Sequence, residues 1–298
     1  MNPALGQVAA KRIEVQVERT FALPGRVWVS DSPRALIAIA HGIGEHSGRY
    51  AALAGELVRA RYTVAALDWP GHGEAPGPRG DVRSWIRFRD QFAPAMFSAS
   101  KGMPGQPDDL PHLLLGHSMG GVLALDYALA HPRDIVGVVA SAPALRSAMP
   151  PWWKLALANI ALATAPSIGF PTGIEEGGIS RDPEVLRLRD SDPQVHGRIS
   201  PRLYHDFNEA RQRVLRDARR LSVRALVMHG TADTVVDPEG SREFCSAAPR
   251  GMAKHIEYPG AFHEIFNDLS RDQVIRDLIG WLDALCRGDE RPGKYRAG

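Results

Sequence analysis

The sequence predicts an α/β protein: a mostly parallel, eight-stranded sheet with helices on both faces. Three observations lead there. Short apolar runs of strand length alternate with longer helical runs through most of the 298 residues, the rhythm of strand–helix–strand units. Several of the short runs, Ala35 to Ala40 above all, are apolar at every position, as in strands covered on both faces. Leu113-Leu114-Leu115 then passes straight through Gly116-His117-Ser118-Met119-Gly120 into Val122 to Leu129, which reads as strand, sharp turn and helix.

In chain order, residues 12–20 and 26–30 suggest an opening pair of strands. Later strands are expected at 35–40, 63–67, 112–115, 135–140, 225–229 and 254–258. The alternation lapses between about 144 and 206, where proline, glycine and charge clusters interrupt it. An insertion there would sit over the carboxyl ends of the strands, where open α/β sheets bind ligands. Residues 1–143 and 207–286 are therefore assigned to the core and 144–206 to an inserted cap or lid. The polar stretch 287–298 is expected to be a disordered tail.

Inside the cap, Pro151 to Ala165 is the most apolar stretch of the chain and is too short to span a bilayer. It reads either as a helix packed on the core or as a lid helix whose Trp152 and Trp153 touch lipid surfaces, and both can hold on opposite faces. Residues 207–221 read as an amphipathic helix with Phe207, Ala210, Val214, Ala218 and Leu221 on one side. Arg211, Arg213, Arg216, Arg219 and Arg220 form a face read as solvated, with attraction to anionic headgroups as the alternative.

With 44% hydrophobic and 23% charged residues the chain can bury a large core, and a net charge of +2 gives no strong pull toward nucleic acid. Cys245 and Cys286 imply no disulfide framework. Residues 1–16 lack the apolar stretch of a secretory signal and nothing reaches spanning length, so a cytoplasmic protein is expected.

The chemistry centres on Ser118. A turn between strand and helix lifts its hydroxyl clear of the sheet, and Gly116 and Gly120 keep side chains out of the way. A serine hydroxyl is a poor nucleophile at neutral pH and needs a base, itself held by an orienting acid. His263 sits in a glycine-containing loop just beyond the last expected strand and is the candidate base. Asp233 leaves the strand at 225–229 and is the candidate acid. Asp237 competes with it, but Asp237 precedes Pro238 at a helix start, the place of an N-cap. His112, His117 and His131 flank the turn and its helix and are given packing or surface roles.

Ester cleavage develops negative charge on the carbonyl oxygen, which preorganised amides stabilise. The backbone N–H groups of Met119 and of Ile43, in the loop after the third strand, are the candidate donors. His41 and His46 lie in that loop without further ligands at metal spacing, so no metal is expected.

These residues resemble the monoacylglycerol lipase and lysophospholipase branch of the α/β-hydrolase superfamily. His41 to Tyr50 is similar to its His-Gly-x-Gly-Glu-His-x-x-Arg-Tyr loop, and Gly116 to Gly121 to its Gly-His-Ser-Met-Gly-Gly turn. Asp68 to Gly73, Ile179 to Pro183 and His263 to Asp268 resemble its fourth-strand turn, cap segment and terminal histidine loop, so that the match runs from about Arg12 to Leu285. The resemblance implies an α/β-hydrolase fold, a Ser118–Asp233–His263 triad, oxyanion donors at Ile43 and Met119, and cleavage of a lipid monoester without a cofactor.

There are departures. Pro70 replaces a common arginine, Glu74-Ala75 replaces a small residue, and Phe266 stands where some relatives place a second histidine near the glycerol exit. Glu45 and Arg49 match the polar exit region, with a salt-bridged loop as the competing reading. Monoacylglycerol is the first substrate expected and lysophospholipid the next. A general carboxylesterase, thioesterase or aminopeptidase for small substrates is the rival enzyme reading, and a noncatalytic binding protein the rival of another class. The expected partners are a lipid ester and, through the cap, a membrane or micelle surface.

Overall fold

A computed structural model of the chain describes residues 8–18, 21–101, 103, 105–107, 109–146, 152–174 and 176–287. The expected tail therefore lies, from 288 on, outside the described residues. The elements run β1 (Lys11–Glu18), β2 (Phe21–Trp28), β3 (Ala35–Ala40), α1 (Ala51–Arg59), β4 (Tyr62–Leu67), α2 (Trp85–Lys101), β5 (His112–His117), α3 (Met119–Ala130) and β6 (Gly137–Ser141). Next come α4 (Trp152–Thr164), β7 (Phe170–Pro171), α5 (Pro183–Asp190) and β8 (Arg198–Ile199). The chain closes with α6 (Pro201–Asp217), β9 (Arg224–Gly230), α7 (Glu239–Ala247), β10 (Ala253–Tyr258) and α8 (Arg271–Arg287).

Eight strands form one sheet in the order β1-β2-β4-β3-β5-β6-β9-β10. β1, β2 and β4 are joined antiparallel, and every pair from β4 to β10 is parallel. This is the α/β-hydrolase architecture that the sequence predicts. Burial explains why the central strands are legible: all six residues of β3 and of β4 are buried, so neither face tolerates polarity. β10 lies at the sheet edge and is mostly half-buried, which leaves His255 a partly exposed place.

Two cores flank the sheet. α1 and α8 cover one face with Leu53, Leu57, Leu278 and Trp281 among the buried side chains. α2, α3, α6 and α7 cover the other with Phe92, Leu123, Val214 and Phe244. α3 is the central helix: nearly all of it, from Met119 to Ala128, is buried, which is why its sequence is apolar all round.

Two boundaries differ from expectation. β2 begins at Phe21, well before the expected 26, because Pro24 and Gly25 disguise its first half. A proline gives the ladder no amide, yet the Pro24 carbonyl accepts the Asp68 amide at 2.9 Å. α6 begins at Pro201, inside the stretch assigned to the cap, capped by Ser200, whose side chain accepts from the Leu203 amide at 3.0 Å. Serine followed by proline at the first helical position is a start signal that the sequence carries in plain view. The expected apolar face of α6 packs inward, but its arginine face is not wholly solvated. Arg213 reaches the buried Asp126 of α3 through Nε at 3.0 Å and a terminal nitrogen at 2.7 Å.

Candidate active site

β5 ends at the turn that carries Ser118. The backbone there has φ 54° and ψ −118°, a left-handed geometry that costs a non-glycine residue about 1–3 kcal/mol. Packing holds it in place. A Cβ on Gly116 would meet the Gly120 carbonyl oxygen at 2.0 Å, and one on Gly120 would meet that of Ala40 at 2.1 Å, so only glycine lets β5, α3 and the end of β3 approach. The Ser118 amide donates to Ser141 O at 2.9 Å, and its carbonyl accepts from Ala144 at 3.1 Å. Its hydroxyl has no hydrogen-bond partner among the described residues.

Asp233 and His263 come from the loops after β9 and β10. His263 Nδ1 lies 2.7 Å from Asp233 Oδ2, and both side chains are buried. The other carboxylate oxygen accepts the amides of Val235 at 2.8 Å and Val236 at 2.9 Å. Burial alone would raise the Asp233 pKa, but hydrogen bonds from His229 and His263 hold it well below the usual carboxylate range. The carboxylate is therefore ionised at neutral pH and accepts the imidazole N–H. Asp237 stands apart, half-exposed, its Oδ1 accepting the Glu239 amide at 2.9 Å at the start of α7.

The loop after β3 closes the third side. A Cβ on Gly42 would lie 3.2 Å from Ser118 Cβ, which puts this loop directly against the serine. The Gly42 amide is taken by Glu45 Oε1 at 2.5 Å. The amides of Ile43 and Met119 carry no hydrogen bond among the described residues. His41 donates from Nδ1 to Gly42 O and accepts the Trp69 amide at Nε2, while His46 faces Asp192, so both rings bind the loop to its surroundings. Among the described residues no cluster could hold a metal ion.

Beside the serine lies a narrow cavity lined by Glu45, Arg49, Tyr50, His117, Glu264 and Phe266. Arg49 spans it, with Nε 3.2 Å from Glu45 and a terminal nitrogen 2.7 and 2.6 Å from the Glu264 oxygens. Burial would raise the Glu45 pKa, but His117 and Arg49 hold it down at about 2. His117 is packed within this group. Its ring centroid is 4.7 Å from that of His263, and burial, with His263 nearby, pushes its pKa down to about 4. His112 stacks on Phe97 and His131 faces Asp90.

The inserted stretch touches both reactive loops. Gly178 O and Ile179 O accept the His263 and Glu264 amides at 3.3 and 2.8 Å, and Arg181 pairs with the buried Asp268. On the other side the His196 amide donates to Gly44 O at 2.8 Å and His46 bonds Asp192 at 2.8 Å. α4, in contrast, exposes Leu157 and Ile160 at 57% and 61%. The side chains of Trp152 and Trp153 lie outside the described residues, and only their place at the start of α4 is given.

The structure thus brings Ser118, Asp233, His263, Ile43, Met119, Glu45 and Arg49 to one end of the sheet. The sequence reading passed over His229 and Glu264. His229 had a local signal, four residues before Asp233 at the end of an apolar strand; Glu264 had only its place beside His263.

The family model described as serine aminopeptidase, S33 (Hydrolase_4) matches residues 31–270. A monoacylglycerol lipase of Mycolicibacterium smegmatis is 32% identical over 260 residues, covering 86% of this chain and 91% of that protein. The crystal structure of Paleococcus ferrophilus monoacylglycerol lipase superposes with a TM-score of 0.79 at 32% identity, over 93% of this chain and 99% of the other. A soluble variant of the Saccharomyces cerevisiae monoglyceride lipase, in complex with a substrate analogue, gives a TM-score of 0.80 at 25% identity, over 95% and 99% of the two chains.

Proposed function

This chain belongs to the serine aminopeptidase, S33 (Hydrolase_4) family, and from that premise we propose that it is a serine hydrolase of lipid monoesters, cleaving monoacylglycerol to fatty acid and glycerol. The observation that carries the reading is the strained Ser118 on its strand–turn–helix, facing a loop whose Ile43 amide is free. Ser118 Oγ attacks the ester carbonyl carbon as His263 Nε2 takes its proton. Asp233 holds the imidazole by its Nδ1–H and stabilises the cation formed. The amides of Ile43 and Met119 receive the oxyanion. Collapse of the tetrahedral adduct expels glycerol oxygen, which regains the proton from His263. Water then repeats the attack on the acyl-serine and releases the fatty acid.

An uncharged leaving group suits the site. Arg49, the cation of the cavity beside Ser118, is already held by two carboxylates, so it is a poor receptor for a phosphate headgroup. Glu45 and Arg49 line the glycerol side as a salt-bridged wall, which joins the two readings of that pair. The inserted stretch from about 144 to 200 acts as the cap. Its α4, with Leu157 and Ile160 open, lies against lipid surfaces and borders the acyl path. No helix among the described residues is long and apolar enough to cross a membrane.

A fluorophosphonate probe with the enzyme, and a panel of monoacylglycerols, lysophospholipids and short nitrophenyl esters, tests the proposal. Ser118 is expected to be labelled, and Ser118→Ala to lose both labelling and turnover. Labelling that persists in Ser118→Ala, or highest efficiency on acetate esters, overturns it.

A further inference from the structure

His229, the sixth residue of β9, is fully buried and uses both ring nitrogens. Its Nε2 lies 3.1 Å from Asp233 Oδ2, and its Nδ1 lies 2.7 Å from the hydroxyl of Ser241, itself fully buried on α7. An ionised carboxylate only accepts, so Nε2 carries a hydrogen toward Asp233, and Nδ1 shares a hydrogen bond with the Ser241 hydroxyl. The same Oδ2 takes the Nδ1–H of His263 at 2.7 Å. One carboxylate oxygen therefore serves two imidazoles, while its twin is filled by two backbone amides.

Each N–H on that oxygen stabilises its negative charge. The second donor makes Asp233 a weaker base, and so a weaker partner for an imidazolium at His263. It also ties Oδ2 to β9 and α7, an anchor apart from His263. We propose that Ser241 and His229 form a positioning relay, which aims Asp233 Oδ2 and keeps His263 uncharged, and able to accept a proton, at lower pH than a triad ending at the acid. His229 touches no substrate; the inference rests on the hydrolase reading above.

The groups facing His263 from its surroundings are few. Asp233 from the β9 loop and the His117 ring from β5 meet it directly, while Glu45 from the loop after β3 and Glu264, paired with Arg49, act on His117. The inserted stretch offers Arg181, which is paired with Asp268. Asp233 is hydrogen-bonded by His229 and His263, and its charge also acts on His117. Substitutions at 229 and 241 leave all the other groups in place.

The test is the pH profile of kcat/KM on monoacylglycerol, and of fluorophosphonate labelling, for the full chain and for His229→Leu, His229→Gln and Ser241→Ala. His229→Leu is expected to move the acid limb up by about half to one pH unit, a part of the worth of one hydrogen bond to a charged group because it acts through Asp233, and to lower kcat about tenfold. His229→Gln, whose amide can donate to Oδ2 and accept from Ser241, is expected to restore most of the limb. Ser241→Ala, which removes one oxygen and keeps the fold, is expected to shift it the same way by less. An unmoved acid limb in Ser241→Ala and in whichever His229 variants fold, or a glutamine no better than leucine, overturns the relay. Labelling of Ser118 without any lipid turnover would instead sink the substrate reading and leave the relay measurable.

Discussion

The inserted stretch is held in two opposite ways along its length. From Gly178 to Ile199 it is stitched to the loops around Ser118 by directional bonds: two carbonyls on the His263 loop, Arg181 on Asp268, His196 on Gly44, Asp192 on His46. Over α4, in contrast, Leu157 and Ile160 are more than half exposed and the helix rests on α6. Directional bonds fix distances to a few tenths of an ångström, and apolar contact does not, because it has little angular preference. The back of the insertion is thus built as scaffold for the reacting loops, and the front presents exposed apolar side chains.

The comparison breaks first if the scaffolded loops do not carry the chemistry. Asp233→Asn is expected to lower kcat by about 10⁴, the loss seen when a triad histidine loses its orienting carboxylate. Asp237→Asn, half-exposed at the start of α7, is expected to keep full activity and lose under about 0.5 kcal/mol, since asparagine also caps. Steady-state kinetics and thermal melts on the two variants separate them; a reversed pattern moves the acid to 237. Next in size is the stitch itself. Arg181→Ala leaves buried Asp268 with only the amides of Arg181 and Phe262 as donors. A cost of about 1–3 kcal/mol and a fall in kcat of about tenfold are expected, as the His263 loop loses its register. Unchanged kcat with lowered stability would make the stitch a matter of folding alone.

How much of this was legible depended on how local each cause is. The six residues of β3 are found where they were expected, because burial on both faces writes itself into every position of the run. The turn at Ser118 was equally local, since the glycines that permit it are adjacent in sequence. β2 was hidden by a proline and glycine whose tolerance depends on β4, a partner known only once folded. The Arg181–Asp268 pair joins residues 87 apart, and Arg213 reaches Asp126 across the same span. Such pairs have no short-range signature, so Arg213 read as one more solvated arginine. The neighbour of His117 was hidden for the same reason: His263 arrives from the last strand loop.

A smaller effect follows from burial of histidine in the scaffolded region. His41 and His117 have pKa values below the ordinary 6.5, chiefly through burial, the latter at about 4. The fold therefore binds fewer protons than the unfolded chain, and stability is full above about 6.5 and falls as pH drops toward 4. Asp233 and Asp268, held low against the burial that would raise them by their hydrogen bonds, lose their contribution only below about 4, as they protonate. Denaturant midpoints taken from pH 7.5 to 3.5 should fall in two stages. His117→Gln should flatten part of the first stage, and a midpoint constant between 7.5 and 5 would show that these rings take up protons without cost.

The gentlest test is applied to the front of the insertion. Leu157 and Ile160 are already more than half exposed, so replacing both with serine removes little buried apolar area and should leave the melting temperature within about 2 °C. A surface that meets lipid behaves otherwise, because there each side chain leaves water on docking. At about 25 cal/mol per Å², withdrawing the exposed parts of two such side chains from the docking surface weakens it by roughly 1–2 kcal/mol, a five- to thirtyfold loss. The double variant is therefore expected to lose several-fold in kcat/KM on monoacylglycerol in micelles or vesicles, and nothing on a dissolved short-chain nitrophenyl ester. Equal losses on both substrates with a lowered melting temperature would make α4 a packed helix like the others. Equal activity on both would leave the exposed face without a lipid role, and the contrast between the two halves of the insertion would then be one of rigidity alone.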